Sequence, residues 1–208
     1  MSTSRSDKSS GYHHGDLRAA LVAAGIELLE RNGVDGLTLR AAARLVGVSH
    51  AAPARHFPDT ESFVAEIATV GYRRLVKTLD DARRGRQPLD GFQHMGRAYV
   101  GFALAHPHWY RAIFHPSLAD KEAHPDLLAA STEAFERLRA GVAASIDAGA
   151  VRRDDVSVLA LSVWSTVHGL AVLLIDDQLR TKGYRASTDD LIESVLTTLF
   201  LGLAVPPA

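Results

Sequence analysis

The chain has 208 residues, 47% of them hydrophobic, and a formal net charge of −1, enough for one large domain or for a small and a medium one around a substantial core. It has no cysteine, which excludes disulfides, thiol redox sensing and cysteine-ligated zinc. Charge is uneven: residues 1–86 hold 13 basic and 10 acidic side chains and residues 87–208 hold 10 and 14, a pattern that suits a protein with one anion-facing end.

The opening "MSTSRSDKSSG" is polar and Ser-rich, unlike a secretory signal. Beyond it nearly every segment has helical period, and no alternating strand pattern lasts more than a few residues. The expected fold is therefore all-α, with about nine helices. The first is expected from about Asp16 to Arg31, with Leu17, Leu21, Ile26, Leu28 and Leu29 inward and Gly33 as its αL terminator. Thr38 caps a short second helix to about Val46, and Gly47 makes the turn. Ser49 is expected to cap a third helix to about Phe57. Asp59 opens a fourth with acidic residues in its first turn, reaching about Ala82. "RRGRQP" (83–88) is the best internal break, so residues 12–58 are read as a helix-turn-helix domain, 59–82 as a connecting helix, and 83–208 as a second domain.

In that second part, helices are expected at about 89–105, in a short piece begun by Pro107, and at about 126–148, 155–176 and 188–203. The stretch from His115 to Pro125 reads as a loop. The run "LALSVWSTVHGLAVLLI" is interrupted by Ser162, Ser165, Thr166 and His168 and is short for a bilayer, so it reads as a buried helix of a cytoplasmic protein with no membrane partner. A helix apolar all round must be covered on all sides. This chain has too few helices for that, so the last two are expected to face a second copy, with Leu191, Val195, Leu199 and Leu203 in a homodimer interface.

"LTLRAAARLVGVSHAAPARHF" has the helix-turn-helix pattern, with Leu37, Leu39, Ala43 and Val48 where two helices touch and small Ala42 and Ala43 permitting close approach. Residues 12–75 resemble the DNA-binding domain of the tetracycline-repressor family. The resemblance rests on "YHHGDLRAALVAAGIELLERNGVDGLTLR", "GVS" and "RHFPDTESFVAEIATVGYRRL". The rear segments "AYVGFALAHPHWYRAIF" and "VWSTVHGLAVLL", with Trp164, His168 and Gly169, resemble the branch whose ligand domain is named for a Trp-His-Gly motif. The resemblance implies a homodimeric regulator, by family habit a repressor, on a pseudo-palindromic double-stranded operator, released by a small-molecule effector. Carried over by position, Thr38, Arg40 and Ser49 meet phosphates, His50 and Ala51 face bases, and Arg55 and His56 lie near the backbone.

The sequence departs from the family where Ala54 replaces a usual Tyr, where Thr60 replaces a usual Lys, and where Ala42 and Val46 have traded sizes. Base reading then falls mainly to His50, with Ala51 or Ala52 able to touch a thymine methyl. Pro53 lacks an N–H and loosens the start of the reading helix. Arg40, Arg55 and a basic arm of Arg5, Lys8, His13 and His14 supply charge. The alternative is a ligand-binding helical dimer that has lost strong DNA binding.

The histidines at 106, 108, 115 and 124 raise a metal site, but no ligand spacing repeats on one helix face, so no metal is expected. No Gly-rich phosphate loop, GxSxG elbow or HExxH occurs, so neither an enzyme nor a cofactor is expected. Trp164 and His168 are i, i+4 and share a face. His168 is either a polar anchor in a pocket or, more commonly for such a residue, a core histidine bonded to a backbone carbonyl. Trp109, Tyr110, Phe114, Phe135 and Trp164 are the aromatic material for an apolar ligand cavity among the helices at 59–82, 89–105, 126–148 and 155–176.

Overall fold

The computed structural model describes residues 14–118 and 120–204. Arg5, Lys8 and His13 of the basic arm, and the side chain of His14, lie outside the described residues. Nine α-helices occur among the described residues: α1 (His14–Asn32), α2 (Leu39–Val46), α3 (Thr60–Arg83), α4 (Pro88–Ala105), α5 (Pro107–Ile113), α6 (Pro125–Asp147), α7 (Val156–Ile175), α8 (Gln178–Thr181) and α9 (Thr188–Leu203). No strand is present among them, only an isolated antiparallel bridge between Val151 and Ala204. The chain forms two compact units that divide between Val64 and Ala65, inside α3.

Caps fix the helix ends. Thr38 accepts the Ala41 N–H at 3.1 Å to start α2, and Asp59 accepts the Ser62 N–H at 2.7 Å to start α3. Asp155 accepts two amides, from Ser157 and Val158, to start α7, and Ser187 accepts the Asp190 N–H to start α9. Pro88, Pro107 and Pro125 each stand at a first helical position, where a missing N–H costs nothing. Gly47 ends α2 at φ 79°, ψ 27°. The Val48 N–H reaches Ala43 O and the Gly47 N–H reaches Arg44 O, the two bonds of a Schellman turn. Gly33 also has positive φ, 71°, but with ψ −173° it is not the αL terminator expected. The four-residue α8, preceded by Asp177 at φ 51°, was not visible in the sequence pattern.

In the first unit, α1 packs on α2 through a core that includes Leu21, Ala24, Leu29, Leu37, Ala42 and Ala43. Phe57 stacks edge-on against Phe63 at 5.1 Å, and the Arg18 guanidinium covers its ring. The expected third helix is the main correction here. Residues 52–55 form a single 3-10 turn, not an α-helix to Phe57. Pro53 has no N–H to give, so the turn closes by i+3 bonds, Ala52 N–H to Ser49 O and His56 N–H to Pro53 O, with an i+4 bond only at its end, from Phe57 N–H to Pro53 O. Ser49 contributes its carbonyl, and no side chain caps this turn.

In the second unit α4 is the hub, packed by α5, α6, α7 and α9. Eight of its residues are buried, from Gly91 to Ala103. The helix expected to be covered on all sides, α7, buries only one stripe: Leu159, Ala160, Val163, Val167, Leu170 and Ala171. The Arg152 N–H to Leu203 O bond (2.9 Å) ties the end of α9 to the segment before α7.

Gly71 of α3 marks a close approach. A Cβ there would stand 2.6 Å from Ile113 Cγ2 and 3.1 Å from Trp109 Cε3. Ile113 is fully buried and its Cγ2 cannot swing away. Gly71→Ala should therefore lose stability, since overpacking of about 1–3 kcal/mol exceeds the helix-propensity gain of about 1 kcal/mol. Urea unfolding should show a lower midpoint with an unchanged slope; an equal or higher midpoint would remove this contact as a constraint.

Candidate functional site

Two surfaces carry chemistry, one in each unit. In the first unit, Thr38, Arg40, Ser49, His50, Ala51 and Arg55 are all exposed on α2, the turn and the 3-10 segment. Arg40 and Arg44 are i, i+4 on α2, and neither they nor Arg55 has a carboxylate partner among the described residues, whereas Arg31 is paired with Glu27 at 2.6 Å. His56 differs: it is half-buried, and its Nε2 is enclosed without a hydrogen-bond partner among the described residues. The expected backbone-facing role of His56 is therefore not supported by its orientation. Ala54 and Thr60 are exposed, so neither departure is a packing residue.

In the second unit a cavity of about 370 Å³ opens among α3, α4, α6 and α7. Its wall is mostly apolar, from Leu75 and Leu79 of α3, Phe92 and Met95 of α4, Ala134, Phe135 and Leu138 of α6, and Val163 and Val167 of α7. Phe114, Phe135 and Trp164 line it, as the sequence places them. Phe135 meets Trp164 edge-on at 5.9 Å, and Phe114 meets Tyr72 edge-on at 6.0 Å. Lys121, Ser131 and Thr132 add polar atoms, and no Asp or Glu belongs to the lining.

Trp109 and His168 stand outside this lining. Trp109 is buried, with the Arg74 guanidinium 4.1 Å above its ring and Gly71 beside it. His168 sits behind the wall in a polar cluster that the sequence did not reveal. Its Nδ1 lies 2.7 Å from the Tyr110 hydroxyl and 3.0 Å from the Tyr99 hydroxyl. The two hydroxyls are 3.3 Å apart, and the Trp164 indole N–H donates to Tyr99 at 3.3 Å. His168 is thus held by phenols rather than by a backbone carbonyl. Tyr99 and Tyr72, both missed from the sequence, carry the polar atoms of the inner wall.

Burial decides the charge state of this cluster. Desolvation pushes Tyr99 up to about 12 and raises Tyr72 and Tyr110 further, so all three phenols are neutral donors. Desolvation also lowers His168 below the ordinary imidazole value. The unfolded chain therefore takes up this proton before the folded state does. The stability that His168 contributes is complete above its unfolded value, about 6.5, and is lost as pH falls through the lower folded value. Thermal unfolding of the protein and of His168→Gln should show a stability difference that shrinks from pH 7.5 to pH 5; a constant difference would mean that His168 is not held neutral.

Residues 92–199 match the family model described as "Tetracyclin repressor-like, C-terminal domain". A protein of unknown function from Rhodococcus sp. RHA1 is 33% identical, with 94% of this chain and 100% of that one covered and a TM-score of 0.80. The uncharacterized HTH-type transcriptional regulator Rv0681 of Mycobacterium tuberculosis is 26% identical over 75% of this chain and 69% of its own length. A further HTH-type transcriptional regulator, YobS of Bacillus subtilis, is 27% identical over 44% of this chain, and the match spans about half of its length, 48%. With a C-terminal unit that fits the family model, a capped helix-turn beginning in the N-terminal unit, and relatives that are transcription regulators, the chain belongs to the tetracycline-repressor family.

Proposed function

We propose that the protein is a homodimeric repressor that leaves a pseudo-palindromic operator when a small apolar molecule fills the cavity of its C-terminal unit. The observation that carries this reading is the cavity itself, about 370 Å³ and walled mainly by aliphatic and aromatic side chains. The exposed guanidiniums of Arg40 and Arg55, without a carboxylate partner among the described residues, support the DNA side, because such a cation can displace counterions from phosphate. His50 is the base-reading candidate, with Ala51 able to touch a thymine methyl.

A specific observation favours the second reading, a ligand-binding dimer with weak DNA affinity. The reading element is one 3-10 turn, uncapped and tipped with Ala51 and Ala54. Fluorescence anisotropy with DNA flanking the protein's own gene decides between them. Under the repressor reading, Arg40→Ala and Arg55→Ala each flatten the slope of log K against log salt by about 0.9 for every phosphate they leave unneutralised, on specific and random DNA alike. His50→Ala instead narrows the gap between the two by about 1–3 kcal/mol. No salt-dependent binding to any duplex would leave the second reading standing.

The dimer is supported by apolar surface. Val158, Leu161, Val172 and Leu173 recur on the outer face of α7, and Leu201 of α9 is 72% exposed. By length and composition α7 could also cross a membrane. Its inner stripe is already packed on protein, which supports cover by a second copy rather than lipid. Leu191, Val195 and Leu199 are half-buried and remain available at this face, but Leu203 is buried in its own protomer and leaves the interface. The outer residues Leu161 and Leu173 replace it as the test. Leu161→Glu with Leu173→Glu should sediment as monomer or aggregate; a clean dimer would place the interface elsewhere.

A further inference from the structure

The inner wall of the cavity presents one hydroxyl with no protein partner among the described residues, Tyr72, and a second, Tyr99, held by long hydrogen bonds. Tyr72 is almost fully buried, with a relative exposure of 5%. It lines the cavity, and its hydroxyl has no hydrogen-bond partner among the described residues. Its ring is fixed by Phe114. Tyr99 gives the second donor, by proton counting. A neutral imidazole whose Nδ1 accepts has one lone pair there. Tyr110, at 2.7 Å, is better placed for it than Tyr99 at 3.0 Å. The Tyr99 oxygen accepts the Trp164 N–H at 3.3 Å, and its own proton then goes to the Tyr110 oxygen, a bond of the same 3.3 Å. If Nδ1 carries the proton instead, one phenol donates to the other and one phenol proton is left over. Tyr99 lines the cavity, so a ligand oxygen can take its proton in exchange for the long bond to Tyr110.

The rest of the wall narrows the ligand further. No carboxylate faces the cavity to pair a cation, and Lys121 is half-exposed, so it meets solvent as well as the cavity. An anion taken past it to the phenols would lose hydration without gaining a buried counter-charge. An uncharged carbonyl oxygen has two lone pairs, enough to accept from both hydroxyls, and brings no charge inside.

We infer that the cavity selects an uncharged, largely apolar carbonyl compound (ketone, quinone or lactone) whose oxygen accepts hydrogen bonds from Tyr72 and Tyr99. This rests on the reading of the cavity as an effector site and adds the chemistry that the effector carries. Sites built to hydrogen-bond a ligand reject the analogue lacking the partner atom, because their buried polar groups are then left unpaired.

The test is equilibrium dialysis of the full chain against four molecules with one skeleton: fluorene, 9-fluorenone, fluorene-9-carboxylate and 9-aminofluorene. The ketone should bind roughly fivefold or more tightly than the hydrocarbon, the net effect of one or two hydrogen bonds. In Tyr72→Phe and in Tyr99→Phe that preference should fall toward unity while fluorene affinity stays at the wild-type level, which also shows that the cavity is intact. An unchanged ketone preference in both variants overturns the inference. So does tightest binding of the amine, held on the aromatic walls. Tightest binding of the carboxylate, lost in Lys121→Gln and kept in Tyr72→Phe, overturns it in favour of an anion at the rim. Fluorene and fluorenone binding equally would sink the carbonyl assignment and leave the effector cavity standing, whereas failure of all four to bind would remove both.

Discussion

The demand of α4 for cover organises the second unit. Its buried residues, from Gly91, Phe92 and Met95 to Tyr99, Val100, Phe102 and Ala103, fill one broad half of the helix, while Gln93, Arg97 and Gly101 are exposed. An apolar face that wide has to be covered along its whole length. It takes the inner stripes of α5, α6, α7 and α9, and among the described residues the outer face of α7 is left uncovered. The outward Val158, Leu161, Val172 and Leu173 of α7 follow from that shortage. So does the cavity. Small residues among its lining, Gly96 and Ala134, let helices approach without filling the space between the large aromatic rings.

Much of this was legible in the sequence because it is local. Thr38, Asp59, Asp155 and Ser187 mark helix starts by the same short-range bond, and Pro88, Pro107 and Pro125 by the same missing donor. Gly47 is legible because a positive φ is needed there. Phe114, Phe135 and Trp164 were legible as wall material because aromatic residues on inward faces meet where helices meet. The errors arise where two local rules compete. At "SHAAPARHF" the N-cap signal of Ser49 and the alanine-rich run argue for an α-helix, and Pro53 argues against one. The proline prevails because its missing N–H removes the bond that would start an α-turn. Hydropathy ranked α7 above α4 as the fully covered helix, yet α4, with glycines at 91 and 96, is the one that neighbours can approach closely.

The polar cluster lay beyond local reading. Tyr99, Tyr110 and His168 come from α4, α5 and α7, and the contacts span 11 to 69 positions. Only the i, i+4 relation of Trp164 and His168 is visible in the sequence. The pattern showed that those two share a face, and it could not show that two phenols would meet them. Leu203 illustrates the same limit at the end of α9, where the tie from Arg152 to Leu203 O holds the last turn against the second unit and turns that leucine inward.

The cluster is also an odd choice for stability alone. A phenylalanine at each tyrosine would keep the ring contacts Tyr99–Tyr110 and Tyr72–Phe114 while removing hydroxyls that burial makes costly. An unmet buried polar group costs about 1–3 kcal/mol, more than a typical hydrogen bond returns. Tyr110 and Trp164 use their polar atoms within the protein, and Tyr99 uses its oxygen there. The Tyr72 hydroxyl has no such partner among the described residues and opens onto the cavity rather than being sealed in the core. A donor held neutral by desolvation, with a cavity in front of it, adds nothing to packing that its ring does not already provide. Its value lies in what enters the cavity. The donors that make this wall poor as a core are the ones that give it chemical preference as a site.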